Sequence, residues 1–169
     1  DFDCIVPVSG GKDSTYQVIK ALEYGLKILC VNSRTCSLTP LGTQNLENIK
    51  NLGVEMIELS PNSNIRKKLN KLCLQEVGDI SWPEHISIFT FPIKIALKFN
   101  IKLIVWGENS QNEYGGPTES LENTTLNRGW LEEFGGLLGL RLTDLVEHYD
   151  FNEDDLTIYK YPNKEEVFN

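Results

Sequence analysis

Residues 4–14 of the chain read CIVPVSGGKDS, and an amphipathic run follows them. The apolar segment at residues 4–8 predicts a short buried strand, and the small residues after it predict a tight turn. Beyond Asp13, apolar side chains recur at helical spacing at Val18, Ile19 and Leu22. The pattern therefore predicts a strand, a glycine-rich turn and the start of a helix.

A turn of this kind has the chemistry of an anion-binding site. The first N–H groups of a helix lack internal partners and lie at the positive end of the helix dipole, and glycines let a ligand approach the backbone closely. Lys12 adds a positive charge, and Ser9 and Ser14 add hydroxyl donors. Asp13 can cap the helix or bind a Mg²⁺ ion that accompanies a polyphosphate. The glycine spacing excludes a Walker loop and a dinucleotide-binding turn.

The segment SGGKDS at residues 9–14 resembles the signature of the PP-loop ATP pyrophosphatases, which cleave ATP between its α and β phosphates. An ordinary glycine-rich turn would leave the Lys-Asp pair and both serines without a role. The resemblance implies ATP and Mg²⁺ as cofactors and a fold like that of the adenine nucleotide alpha hydrolases. It also implies that six residues hold the β and γ phosphates and the metal: Ser9, Gly10, Gly11, Lys12, Asp13 and Ser14.

Short apolar segments and helical patterns alternate along the rest of the chain. We predict strands at residues 4–8, 27–32, 54–59, 101–106 and 156–161, and helices that begin near residues 13, 40, 65 and 91. This alternation is typical of α/β proteins, in which helices cover both faces of a parallel sheet. The PP-loop resemblance implies a doubly wound, five-stranded sheet of order 3-2-1-4-5. Ligands bind such sheets at the carboxyl ends of the strands, where the strand order reverses.

The same resemblance assigns residues at two other strand ends. The end of the second strand would contact adenine or ribose through Val31, Asn32 and Ser33. Across the crevice, Gly107 would contact the nucleotide, and Glu108 would bind Mg²⁺ or orient the attacking ammonia. The alternative for residues 107–116 is a surface loop rich in turn formers. The resemblance thus assigns catalysis to Lys12, Asp13 and Glu108, and metal binding to Asp13 and Glu108.

Two longer segments narrow the resemblance to one group of enzymes. VSGGKDSTY at residues 8–16 and VWGENSQNEYGG at residues 105–116 look like the N-acetyl sugar amidotransferases of bacterial lipopolysaccharide, pseudaminic acid and legionaminic acid biosynthesis. These enzymes adenylate the acetamido group of a sugar and replace AMP with ammonia, which gives an acetamidino sugar and releases AMP and pyrophosphate. The implied partners are a nucleotide-linked acetamido sugar and separate glutaminase subunits that supply the ammonia.

Length and cysteine usage set the remaining expectations. The 169 residues predict a single ATP-binding domain over residues 1–169. Because the chain begins with Asp1 almost on the first strand, and members of the amidotransferase family are longer, we expect it to be a fragment of a longer protein.

The cysteines form no Cys-x-x-Cys pair, and Cys4, Cys30 and Cys73 fall at predicted buried positions, which favours a reducing cytoplasm. The tryptophans, Trp82, Trp106 and Trp130, are expected to pack in the core.

The charge and the apolar runs limit the alternatives. The net charge is −8, which disfavours nucleic acid as a partner, and no apolar run approaches the roughly 20 residues of a membrane span. One alternative function is a tRNA-modifying PP-loop enzyme of the thiolase or lysidine synthetase type, which the acidic charge and the absence of paired cysteines disfavour. Another is a module that binds an adenine nucleotide without turnover, which the Lys12-Asp13-Ser14 segment disfavours. We therefore expect a cytoplasmic enzyme with neither a nucleic-acid nor a membrane partner.

Overall fold

The computed structural model describes residues 1–34, 37–107, 129 and 137–162. The strands are β1 (Cys4–Pro7), β2 (Ile28–Ser33) and β3 (Glu55–Leu59). The helices are α1 (Lys12–Glu23), α2 (Pro40–Lys50), α3 (Ser63–Glu76), α4 (Trp82–Phe99), α5 (Leu142–His148) and a 3₁₀ helix (Asp154–Tyr159). The described residues fall into two compact units: residues 1–34, 37–60, 88–107 and 162 form the first, and residues 61–87, 129 and 137–161 form the second. The prediction of a single domain stays a prediction.

The first unit contains a parallel sheet with the strand order β1-β2-β3. β2 pairs with β1 on one side and with β3 on the other, and both pairings are parallel. The predicted fourth segment lies beside the free edge of β1, where Ile104 forms a parallel bridge with Ile5. Two backbone hydrogen bonds hold it there, from the Ile5 N–H to the Leu103 carbonyl at 2.9 Å and from the Val105 N–H to the Ile5 carbonyl at 2.8 Å. The α/β class is therefore confirmed, with three parallel strands and a bridge in place of a full fourth strand.

Side-chain alternation along the strands produces two cores in the first unit. Successive strand residues point to opposite faces of a sheet. Cys4 and Val6 pack with residues of α1 and α2, such as Val18 and Ile49, in one buried cluster. The residue between them, Ile5, belongs to a second cluster with residues of β2 and α4, namely Leu29, Val31, Ile95 and Ala96. Helices therefore cover both faces of the sheet, as the sequence pattern predicted.

The second unit is built on helices α3 and α5, the start of α4 and the 3₁₀ helix. Trp82 is fully buried at the beginning of α4, and its indole Nε1 donates to the Leu137 carbonyl at 2.9 Å. Leu69 and Cys73 of α3 and Leu145 of α5 pack in the same cluster. The prediction that Trp82 is a core residue is confirmed.

The predicted fifth strand at residues 156–161 is wrong. Residues 154–159 form a 3₁₀ helix, whose start is stabilised by a hydrogen bond from the Asp154 N–H to Asn152 Oδ1 at 3.1 Å. Leu156 and Tyr159 are both buried, and a spacing of three places them on one face of a helix with three residues per turn. The sequence favoured a strand because Leu156 and Ile158 alternate with the polar Thr157.

Helix α4 is longer than predicted. It begins at Trp82 instead of near residue 91, and Pro83 lies in its first turn, where a missing N–H costs nothing. The break that the sequence predicted at residues 78–83 is confined to the turn before Trp82, where Gly78 has a φ of +73°. Within the described parts of the chain, no helix combines the length and the apolar character needed to cross a membrane.

Candidate functional site

The turn between β1 and α1 depends on a glycine in a left-handed conformation. Gly10 has a φ of +84°, a region that side chains other than glycine rarely adopt. It also lies against helix α2, because a Cβ built on Gly10 would be 3.3 Å from the Asn45 Cβ. The chain can therefore reverse from β1 into α1 close to α2 only with a very small residue at this position.

Backbone N–H groups are available at the start of α1. The first intrahelical hydrogen bond runs from the Thr15 N–H to the Gly11 carbonyl at 3.1 Å, and the N-cap residue, Gly11, has no side chain with which to cap the helix. The N–H groups of the first three helical residues, Lys12, Asp13 and Ser14, accordingly have no carbonyl of the helix to bond. They form the array of donors at a positive helix end that the sequence predicted for an anion.

Two serines hold the turn in shape. The Ser9 Oγ accepts a hydrogen bond from the Gly11 N–H at 3.3 Å. The Ser14 Oγ accepts from the Ser9 N–H at 3.4 Å and donates to the Gly11 carbonyl at 3.3 Å. These bonds link the residues that flank the turn, so both serines have a structural role besides the predicted one of donating to phosphate.

A cleft of about 170 Å³ opens at the carboxyl ends of β1 and β2. It is lined by residues of the turn and of the first turn of α1, by residues of the β2 end, and by the segment that follows residue 104. Most of the predicted site residues line it, namely Ser9, Gly11, Asp13, Ser14, Val31, Asn32, Ser33 and Gly107. Residues from three separate parts of the sequence, each predicted from a local pattern, therefore line one cleft.

Of the three remaining predicted site residues, two do not line the cleft and one lies outside the described residues. Gly10 is buried on the side of the turn that packs against α2. Lys12 points into solvent with 92% of its side chain exposed, and its Nζ lies 3.8 Å from Asp13 Oδ1. Glu108 lies outside the described residues. The roles assigned to all three stay predictions.

The end of β2 presents polar atoms that have no partner among the described residues. Asn32 is 5% exposed, and its Nδ2 donates to the Val8 carbonyl at 2.5 Å, which fixes the orientation of the amide. Its Oδ1 is buried and has no hydrogen-bond partner in the described parts of the chain, and the same holds for the Ser33 Oγ. Buried polar atoms are rarely left unsatisfied, and a ligand or an ordered water is a common explanation. Both residues line the cleft.

One wall of the cleft is apolar, and the sequence did not predict it. Trp106 is half buried, lines the cleft, and packs against Phe89 of α4 with ring centroids 5.6 Å apart. The expectation that Trp106 is a core residue is therefore incomplete, because one side of the ring packs and the residue also borders the cleft. The rest of this wall consists of Leu38, Ile88 and Pro92. The sequence offered one indication of this wall, an aromatic residue immediately before Gly107, which was predicted to contact the nucleotide.

Gln17 is a second residue that the sequence did not single out. It lies on α1, and its Nε2 donates to the Trp106 carbonyl at 2.5 Å. This bond joins residues 89 positions apart, so no local pattern predicts it. Gln17 thereby connects the helix that begins at the turn with the segment that forms the apolar wall.

The donor set fits a Mg²⁺-bound polyphosphate better than it fits a metal held by protein ligands alone. Among the described residues no cluster of three or more His, Cys, Asp or Glu side chains is placed to hold a metal ion. Asp13 is one exposed carboxylate beside unpaired helix N–H groups. Mg²⁺ is usually held by one or two carboxylates together with phosphate oxygens and water. The arrangement is therefore suited to a metal that arrives with its phosphates.

The described cysteines are buried, and burial disfavours the ionised thiolate. Burial raises the pKa of the Cys30 thiol to about 12, with the neighbouring Cys4 as a second cause. Burial also raises the pKa of the Cys73 thiol to about 12, and nearby carboxylates, among them Asp79, add to the shift. Because a thiolate is the reactive form, these thiols stay protonated and inert at neutral pH. The expectation that Cys4, Cys30 and Cys73 are buried is confirmed.

Comparison with known proteins does not assign the chain to a group. A scan against protein-family models finds no model that matches it, and a search of the curated proteins finds no significant match.

Proposed function

We propose that the cleft binds ATP, with its phosphates at the start of α1, and that the protein cleaves ATP between the α and β phosphates. The observation that carries the proposal is the convergence of the turn, the β2 end and Gly107 on one cleft at the carboxyl ends of parallel strands. Adenine nucleotides commonly bind α/β sheets at such an edge, with phosphates at a helix N-terminus.

The residues of the turn have distinct roles in this proposal. The N–H groups of Lys12, Asp13 and Ser14 and the Ser9 hydroxyl bind the β and γ phosphates, and the Ser14 hydroxyl joins them by turning its hydrogen away from the Gly11 carbonyl. The Lys12 side chain is exposed and long enough to fold over the leaving pyrophosphate, whose negative charge it stabilises. Asp13 and Glu108 hold Mg²⁺, which when bound neutralises phosphate charge.

The remaining part of the cleft suits the nucleoside. Asn32 and Ser33 offer buried polar atoms to the base or ribose, and Trp106 offers an aromatic surface. Phosphate oxygens are acceptors only, so the acceptor atom Asn32 Oδ1 is matched to an N–H or O–H group of the ligand. The proposed sheet has the order 3-2-1-4, in which the segment beside β1 is the fourth strand, and residues 156–161 do not supply the fifth strand of the expected order.

We further propose that the acceptor is the acetamido group of a nucleotide-linked sugar. The acetamido oxygen attacks the α phosphorus and pyrophosphate leaves. Ammonia then attacks the former carbonyl carbon, and AMP leaves with the oxygen to give an acetamidino sugar. This step rests on the sequence resemblance at residues 8–16 and 105–116, as do the glutaminase subunits that would supply ammonia in a cytoplasmic location.

An acceptor screen tests this proposal. The protein is incubated with Mg-ATP, isotope-labelled ammonium and a panel of nucleotide-linked sugars, with and without an acetamido group. The expected result is incorporation of the labelled nitrogen into an acetamido sugar, seen by mass spectrometry, and none into the matched sugar that lacks the group. Labelled nitrogen in neither class of sugar, while AMP is still released, would overturn the acceptor but not the ATP chemistry.

One observation favours a second candidate, an adenine-nucleotide-binding module without turnover. The Lys12 side chain does not line the cleft and is almost fully exposed. A module of this kind would bind ATP without forming AMP. The tRNA-thiolase alternative has less support, because the described thiols are buried and protonated.

A further inference from the structure

Gln17 links two walls of the cleft. Its Nε2 donates a hydrogen bond to the Trp106 carbonyl at 2.5 Å, and its side chain is half buried on α1. The indole of Trp106 is held separately by Phe89. The Trp106 residue is therefore restrained at its ring by α4 and at its backbone by α1.

The next residue, Gly107, lies directly against the first turn of α1. A Cβ on Gly107 would be 3.2 Å from the Gln17 Oε1 and 3.6 Å from the Ser14 backbone nitrogen. The Ser14 nitrogen carries one of the N–H groups proposed to bind phosphate. The backbone at Gly107 thus borders the phosphate end of the cleft, and Gln17 lies beside it.

Packing alone does not explain a glutamine at this position. The Gln17 Oε1 is buried and has no hydrogen-bond partner within the described residues. Burying an unpaired acceptor costs free energy, and this loss offsets the gain from the bond that Nε2 makes. An apolar side chain of the same size would serve packing as well, so the feature that requires glutamine is the bond to the Trp106 carbonyl.

We propose that Gln17 is a positioning residue that holds Trp106 and Gly107 against the first turn of α1 and thereby sets the affinity of the cleft for a nucleotide. The inference rests on the proposed function, because both held residues line the cleft proposed to bind ATP. Restraining the two walls before the ligand arrives lowers the ordering cost of binding.

Nucleotide affinity gives the first test. We compare Gln17→Leu, which keeps the volume and removes the donor, with Gln44→Leu, the same change at an exposed position of α2. The probe is Mg²⁺ with α,β-methylene-ATP, whose α–β bridge cannot be hydrolysed, and calorimetry gives the Kd. We expect Gln17→Leu to raise the Kd about 3- to 10-fold, as for the loss of one hydrogen bond. The thermal midpoint should also fall more in Gln17→Leu than in Gln44→Leu, because the Trp106 carbonyl loses its donor, so the Kd decides. Equal Kd values for the two variants would overturn the proposal.

A double-mutant cycle separates positioning from general damage. In Gly107→Ala the new Cβ would lie 3.2 Å from the Gln17 Oε1, so the amide must shift by a few tenths of an ångström, which we expect to weaken its bond to the Trp106 carbonyl. Gly107→Ala should therefore weaken binding in the native background and have little further effect in Gln17→Ala, where that contact is absent. Additive effects of the two substitutions would contradict a shared mechanism.

A ligand-free measurement makes the two proposals distinguishable. In fluorotryptophan-labelled protein, fluorine NMR reports each indole separately, and Trp106→Phe assigns the Trp106 resonance. Without nucleotide, Gln17→Ala should shift or broaden that resonance, and Gln44→Ala should not. Unmodified protein that binds no nucleotide would overturn the proposed function. An unchanged Trp106 resonance in Gln17→Ala, or nucleotide affinity that ignores Gln17, would overturn only the role of Gln17.

Discussion

The Asn32 side-chain amide donates to the Val8 carbonyl at 2.5 Å and ties together the carboxyl ends of β1 and β2, where the cleft opens. Asn32→Leu removes this buried bond and leaves the carbonyl without its partner. We expect the free energy of unfolding to fall by about 1–3 kcal/mol in urea titrations. Asn48→Leu, at an exposed position of α2, is the control and should change it by less than about 0.5 kcal/mol. Equal stabilities of the two variants would show that the Asn32 bond contributes nothing.

Lys12 is predicted to act on the leaving pyrophosphate and not on folding. Because 92% of its side chain is exposed, Lys12→Ala should leave the thermal midpoint unchanged. AMP formation should fall at least about 100-fold, the size of effect seen when one group that stabilises transition-state charge is removed. Lys67→Ala, at an exposed position of α3, is the matched control and should keep full activity. Unchanged turnover in Lys12→Ala would remove this lysine from the mechanism.

The turn should be sensitive to any side chain at residue 10. Gly10 and Gly25 both have positive φ, +84° and +74°, so alanine costs about 1–2 kcal/mol in backbone strain at either one. Only at Gly10 would the new Cβ also meet another element, at 3.3 Å from the Asn45 Cβ, whereas nothing lies within 4 Å at Gly25. Urea titrations should therefore show a larger loss for Gly10→Ala than for Gly25→Ala. A loss of stability as small as that of Gly25→Ala would mean that α2 accommodates the new Cβ without any loss in the free energy of unfolding.

Stability should fall in alkaline solution. Burial raises the pKa of the Cys30 and Cys73 thiols from 9.0 to about 12, so the folded protein keeps protons that the unfolded chain releases. The free energy of unfolding then decreases as the pH rises between the unfolded and folded pKa values, from about 9 to about 12. Urea midpoints measured at about pH 8 and about pH 10 should show this decrease, and a smaller one in Cys30→Ala. A midpoint that rises over this range would contradict the assignment of these thiols.

The sequence could predict those parts of the site that depend on local patterns. The turn, the start of α1 and the end of β2 each have a local signature, because a strand, small turn residues and helical spacing occur within a few residues of one another. The apolar wall has none: Trp106 reaches the cleft through packing on Phe89 and a bond from Gln17, and these partners are far away in the sequence. Such contacts arise only when the sheet and α4 are assembled.

The prediction of secondary structure failed where one stretch of sequence fits two conformations. Leu156 and Ile158 are two residues apart and fit one face of a strand, whereas Leu156 and Tyr159, three residues apart, fit one face of a 3₁₀ helix. Burial in the second unit selected the 3₁₀ helix. The segment predicted as a strand at residues 101–106 lies beside β1, the position that the strand order of the resembled family implied, but only Ile104 satisfies the geometry of a bridge.

Phosphorus NMR distinguishes the proposed cleavage of ATP between the α and β phosphates from the loss of the γ phosphate alone. The protein is incubated with Mg-ATP, ammonium and nucleotide-linked acetamido sugars, and the phosphorus resonances are followed with time. We expect AMP and pyrophosphate to form only when the correct sugar is present, and neither to form with Lys12→Ala. Formation of ADP and phosphate instead, or ATP that stays intact with every sugar, would contradict this expectation.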